Sequence, residues 1–193
     1  AVDEFRGAAT QTVELDGRAL LPGFVDSHGH VVMGGLQAMS ANLLAPPDGE
    51  VRDIDSLVST LVDWKDENSA VVEATGLIVG FGYDQAQMTE LRPPNRDDLD
   101  RVSHEIAVVV VHQSGHFGVL NSKALEQVGI TSASENPPGG IIRRDAEGQP
   151  DGVLEETAFF NALLGLIPRV GEAGAKRMVR AGSELWARFG YTT

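Results

Sequence analysis

The sequence predicts an α/β fold, and three observations carry the prediction. Leu77-Ile78-Val79-Gly80-Phe81 and Ile106-Ala107-Val108-Val109-Val110-Val111 are short apolar runs rich in β-branched residues, the pattern of strands buried on both faces. Ile54, Leu57, Val58, Leu61 and Val62 recur at helical spacing behind capping-type residues. Ala175, Met178, Val179, Gly182, Leu185, Trp186 and Phe189 form a second helical stripe, closed by Gly190 where a C′ glycine belongs.

Taken in order, Thr12 to Asp16 alternates with the period of a strand, Asp16-Gly17 is a hairpin-type turn, and Ala19 to Phe24 resumes an apolar run. That run leads into a buried strand ending at His30. Residues 31–44 read as a helix leaving it, stopped by Pro46-Pro47-Asp48-Gly49. The two valine-rich strands are separated by Pro93-Pro94-Asn95 and a short helical turn at Asp97-Asp98-Leu99-Asp100. Ser122 to Val128 is a short helix capped by Asn121 or Ser122 and ended by Gly129. Ile141 to Arg144 and Gly152 to Leu154 flank a hairpin-like excursion, Glu155 to Leu164 is helical, and a strand starts at Tyr191.

Composition narrows the function. At 193 residues and 42% hydrophobic, the chain has enough length for one substantial core or a core plus a small subdomain. Fifteen Lys+Arg against 28 Asp+Glu give a net charge of −13, which opposes binding to nucleic acid or to an anionic membrane surface. The absence of cysteine excludes a disulfide scaffold, a thiolate nucleophile and a Cys-type zinc site, so a transition metal must be held by His and carboxylate. No stretch approaches the roughly 20 apolar residues of a membrane span, and AVDEFRGAAT lacks the features of a signal peptide; a cytoplasmic location is expected. Starting without Met and ending in a helix stop and the first residues of a strand, the chain reads as an internal piece of a longer protein.

The most informative segment is Asp26-Ser27-His28-Gly29-His30. At a strand end, residues i and i+2 point the same way, so Asp26, His28 and His30 share one face and the two imidazoles can grip one cation. On a helix they would splay about 200° apart. Gly29 leaves room above the strand, and Asp26 is placed to orient an imidazole from behind. The alternative is a surface turn with two ordinary histidines.

The context Leu20-Leu21-Pro22-Gly23-Phe24-Val25-Asp26-Ser27-His28-Gly29-His30 resembles the signature that opens the barrel of the metal-dependent amidohydrolase superfamily. Gly80-Phe81-Gly82-Tyr83-Asp84, Leu99-Asp100-Arg101-Val102-Ser103, Ser114-Gly115-His116 with Asn121-Ser122-Lys123-Ala124-Leu125, Pro138 to Asp145, and Pro150 to Ala158 are similar to segments of amidohydrolase family 3, the YtcJ-like and N-substituted formamide deformylase-like enzymes. The resemblance covers nearly the whole chain, in order.

What the resemblance implies is the start of a metal-dependent hydrolase TIM barrel. Residues 1–20 would be edge strands of a flanking β-sandwich and 21–44 the first barrel strand and its helix. Residues 45–150 would form an inserted α+β subdomain, and 151–193 helices returning to the barrel with the start of its next strand. His28 and His30 would bind a divalent metal, zinc by donor chemistry and one or two ions in number, with Asp26 behind them. His116 would stand on the substrate side, where its rival is a hydrogen-bonded structural histidine. Glu156 aligns with a family glutamate, where its rival is a helix-start carboxylate favoured by the dipole. The further ligands and the general base would lie beyond Thr193. His112 and His116 are spaced i, i+4, but the strand-like run and Ser114-Gly115 argue against a helical metal pair. His104 reads as a surface residue, and Trp64 and Trp186 as core.

The implied reaction is hydrolysis of a non-peptide carbon–nitrogen bond in an amide, cyclic amide or formamide by a metal-activated water. A small-molecule amide-type substrate is the expected partner, and a homo-oligomer is compatible with the sequence. The rival readings are another reaction of the same barrel, such as deamination, and a non-catalytic binding module.

Overall fold

The computed structural model describes residues 3–166 and 171–193; residues 1–2 of the 1–20 segment and 167–170 of the 151–193 segment lie outside the described residues. The helices are α1 (Val31–Ala38), α2 (Ile54–Glu67), α3 (Ser69–Thr75), α4 (Arg96–Asp100), α5 (Ser122–Val128), α6 (Thr157–Leu166) and α7 (Gly171–Arg188). The strands are β1 (Ala41–Asn42), β2 (Leu77–Tyr83), β3 (Ala107–His112), β4 (Phe117–Leu120), β5 (Gly140–Arg144) and β6 (Pro150–Glu156). They form one mixed sheet in the order β1-β2-β3-β4-β6-β5. β1, β2 and β3 run parallel, and β4, β6 and β5 are joined antiparallel.

Every residue of β3 is buried, because helices cover both faces of the sheet. Ile78, Val108, Val110, Val119 and Val153 pack under residues of α2, α3 and α4. Val109, Val111, Leu120 and Leu154 pack under α5 and α6. The start of α2 is fixed by a reciprocal cap in which the Asp53 carboxylate accepts from Ser56 N at 2.7 Å and the Ser56 hydroxyl accepts from Asp53 N at 3.1 Å. Asn121, fully buried, caps α5 by accepting from Ala124 N. The same side chain also accepts from Val108 N and donates to the carbonyls of Ser103 and Ile106, fastening α5 to the start of β3.

Several local expectations are corrected. The helix predicted over 31–44 ends at Ala38, because Ala41 and Asn42 pair in parallel with Gly80 and Phe81 and extend the sheet instead. The helix predicted from Glu155 begins at Thr157, since Glu155 and Glu156 are still held in the ladder by Phe117 and by Ile141 and Gly140. The turn at Asp16-Gly17 forms, with φ of 49° and 79° and Arg18 N donating to Leu15 O at 3.0 Å, but no ladder flanks it among the described residues. A two-stranded hairpin without a third strand or a helix to pack on is marginal in water. The sheet spans residues 41–156.

Beside the sheet, α1 and α7 pack against each other, and the approach is too close for side chains. A Cβ on Gly35 would collide with the carbonyl of Met178, one on Gly182 with the carbonyl of Val31, and one on Gly34 with the ring of Trp186. This crossing brings the segments before α1 and after α7 together. Phe24 N donates to Gly190 O at 2.8 Å, Thr192 N to Phe24 O at 2.9 Å, and Asp26 N to Thr193 O at 2.7 Å, a short parallel pair of extended segments. Leu20, Leu21, Phe24 and Val25 are exposed, so the strand expected to be buried has one neighbour and no cover among the described residues.

Gly182→Ala and Gly35→Ala should each destabilise the α1–α7 pair by about 1–3 kcal/mol, the usual range for overpacking. Urea denaturation checks this, with Gly7→Ala, whose new methyl meets nothing closer than 4.0 Å, as the silent control.

Candidate metal centre

His28 and His30 lie where residues 24–26 leave their extended pairing and turn into α1, of which His30 is the N-cap. Both rings are solvent-exposed. Their centroids are 5.0 Å apart with planes at 84°. Two imidazoles on one tetrahedral zinc, at Zn–N of about 2.0–2.1 Å, hold their centroids about 5 Å apart, a spacing this pair matches. Among the described residues no group of three or more His, Cys, Asp or Glu is disposed to hold a metal, whereas a catalytic zinc normally takes three protein ligands.

Asp26 is partly buried behind the pair. Its Oδ1 accepts from His28 N at 3.0 Å and its Oδ2 from Trp186 Nε1 at 2.6 Å. These bonds, the indole first, hold its carboxyl below the usual carboxylate range. The carboxylate therefore orients His28 through its main chain. Gly29 keeps this space clear, since a Cβ there would stand 2.6 Å from Asp26 Oδ2 and 2.9 Å from Trp186 Nε1. Trp186, read from sequence as core, reaches the carboxylate from α7; the signal for it lies in the glycines at 29 and 34, which clear room for a large ring.

His116 and Glu156 are brought together in the sheet unit. His116 Nδ1 lies 3.1 Å from Glu156 Oε2, and Glu156 N donates to His116 O at 2.8 Å. Both side chains are more than half exposed. A carboxylate at Nδ1 fixes the tautomer with the proton on that nitrogen and leaves Nε2 as the free acceptor. Glu156 has φ of +51°, the left-handed region that a non-glycine residue occupies at a cost of about 1–2 kcal/mol.

His112 and His116 form no pair, because β3 ends and a turn intervenes. His112 is buried, stacked on Phe117 with centroids 3.9 Å apart. Its Nδ1 accepts from Ser114 N at 3.1 Å, and its Nε2 faces Asp84 Oδ1 at 3.6 Å. Asp84 also accepts from the side chains of Gln87 and Gln113; the Gln87 bond first, then the Ala86 N bond and the facing His112, keep its carboxyl low. Burial lowers the His112 pKa. A cavity of about 130 Å³ nearby is lined by Gln85, Pro93, Phe117, Arg143, Val153 and Glu155, with Arg143 Nε donating to Glu155 Oε1 at 2.5 Å. His104 is exposed, as expected.

Comparison with known proteins agrees with this architecture. The amidohydrolase family model matches residues 11–193, and the chain belongs to that family. It is 29% identical to the N-substituted formamide deformylase of Arthrobacter pascens over 158 residues, covering 80% of this chain and 28% of the relative. It is 27% identical to the putative amidohydrolase YtcJ of Bacillus subtilis over 170 residues, covering 88% of this chain and 30% of that protein. Its fold is shared with an uncharacterized metal-dependent hydrolase of Pyrococcus horikoshii, with a TM-score of 0.61 at 21% identity over 89% of this chain and 30% of that one. The chain thus spans less than a third of the length of these relatives. No helix among the described residues is long and apolar enough to cross a membrane.

Two outcomes check the site. Glu156→Gly should be more stable than Glu156→Ala by about 1 kcal/mol in chemical denaturation, the reverse of the order at an ordinary position, because only glycine is relaxed at this φ. For His112, a folded-state pKa below the unfolded value means the unfolded chain binds more protons near pH 6. Stability should therefore be full above about pH 6.5 and fall as the pH drops through the lowered folded value. His112→Gln should flatten that slope in urea titrations from pH 7.5 to 5.

Proposed function

We propose that the protein is a metal-dependent hydrolase of non-peptide carbon–nitrogen bonds in amides, cyclic amides or formamides. The observation that carries this reading is the exposed His28–His30 pair, at the spacing of two ligands on one ion, in a chain of the amidohydrolase family. The relative named for deformylation of N-substituted formamides supports the formamide end of the substrate range.

His28 and His30 would hold the ion through neutral imidazole nitrogens, with zinc the preferred occupant and one or two ions accommodated. When bound, a divalent ion supplies Lewis-acid polarisation of a carbonyl and a water of lowered pKa. Asp26 holds the main chain of His28 in place, so the ligand is positioned before the ion arrives. His116 offers Nε2 to a substrate, with the proton on Nδ1 held at Glu156, and so takes the substrate side. In this reading residues 21–44 begin a TIM barrel, the exposed apolar face at Leu20, Leu21, Phe24 and Val25 meets its other strands, and residues 1–20 belong to a flanking β-sandwich. Residues 45–150 form the inserted subdomain, and 151–193 return to the barrel. The remaining ligands and the general base lie beyond Thr193. The partner is a small amide-type molecule, and the setting is the cytoplasm.

The full-length protein tests this with a panel of N-substituted formamides, cyclic amides and amino-substituted ring compounds. Release of the substituted amine or opening of the ring amide is expected, with His28→Asn and His30→Asn each lowering bound metal and turnover by more than about 100-fold. Ammonia release from the amino-substituted rings alone would assign deamination instead, and unchanged metal content in both variants would refute the site.

A further inference from the structure

We propose that Trp186 is a positioning residue for the metal centre, acting from α7 through its indole N–H on Asp26. The inference rests on the reading of His28 and His30 as ligands and extends it to a residue 160 positions away in sequence.

The Trp186 Nε1–H donates to Asp26 Oδ2 at 2.6 Å, the short distance of a hydrogen bond to a charged acceptor. The other oxygen of that carboxylate accepts from His28 N, so one carboxylate ties the indole to the main chain of a ligand. Four glycines make room for this. A Cβ at Gly34 would strike the six-membered part of the Trp186 ring, and one at Gly29 would lie within 3 Å of both Trp186 Nε1 and Asp26 Oδ2. Gly35 and Gly182 let the backbones of α1 and α7 approach closely enough for the ring to reach. Asp26 has two acceptor oxygens and both are engaged in ways that fix its rotamer. A carboxylate lacking the indole donor would be free to turn about its terminal torsion and would hold His28 N only part of the time. A polar group that orients a metal ligand from behind is commonly worth 10–100-fold in metal affinity.

The experiment uses the full-length protein with Zn²⁺ as the probe. Affinity is measured by competition with a chromogenic chelator for wild type, Trp186→Phe, Asp26→Asn and the double variant. Trp186→Phe keeps an aromatic ring on α7 and removes the N–H donor together with the second ring of the indole. The expected result is a roughly tenfold weaker Zn²⁺ Kd for each single variant and no further loss in the double variant, because both cut the same link. In ¹⁵N-tryptophan-labelled protein, the indole N–H resonance that Trp186→Phe deletes should shift on adding Zn²⁺ to wild type. Thermal melts identify any variant that merely fails to fold, and for such a variant the indole shift in wild type decides alone. Equal Zn²⁺ affinity in wild type and folded Trp186→Phe, fully additive losses, or an indole resonance indifferent to Zn²⁺ would overturn the inference while leaving the ligand pair intact. Failure of wild type to bind Zn²⁺ would overturn the ligand pair and this inference together.

Discussion

The close crossing of α1 and α7 is the constraint on which the candidate centre depends. Glycine at 34, 35 and 182 lets two helix backbones come nearer than ordinary side chains allow. That approach aligns the segment before α1 with the segment after α7, so that Phe24 and Asp26 bond to Gly190, Thr192 and Thr193. The same approach swings Trp186 over Asp26. His28 and His30 are thus presented by a frame built from opposite ends of the chain, and their exposure follows from standing where an extended segment turns into a helix.

The sheet unit is built on different physics. Its strength comes from valine-rich strands covered on both faces and from buried polar locks such as Asn121, whose four hydrogen bonds satisfy main-chain groups at the start of β3 and of α5. On that rigid base sits a deliberate irregularity, the left-handed Glu156 that turns its carboxylate to His116. The chain therefore carries an imidazole pair on one frame and an oriented imidazole on another.

Much of this was legible in the sequence where a local rule decides the outcome. The helices at 54–67 and 122–128 follow from caps and periodicity, and the buried strands from runs of β-branched residues. Asp26, His28 and His30 stand out by their spacing, although the strand read there gives way to a bend at Ser27 and His28 and to the start of α1 at His30. The sequence misled where a tertiary partner overrode local preference. Ala41 and Asn42 extend as strand because Gly80 and Phe81 offer an edge, and Glu155 and Glu156 stay extended because β4 and β5 claim their main chains. α3, at residues 69–75, carries too few periodic positions to announce itself. Trp186 was hidden for another reason: the indole's partner is 160 residues distant, and only the cluster of glycines hinted that something large must fit between. The strained φ at Glu156 has no sequence signal at all, since glutamate is not among the residues favoured in the left-handed region.

The central claim is that His28 and His30 are two ligands of one metal ion in a hydrolase of the amidohydrolase family. The most direct measurement is a crystal structure of the full-length protein grown with zinc, with anomalous scattering recorded on both sides of the zinc absorption edge. The account predicts an edge-dependent peak within bonding distance, about 2.0–2.1 Å, of one nitrogen of each ring. A zinc peak held by other residues, with the His28 and His30 rings directed to solvent, would contradict it.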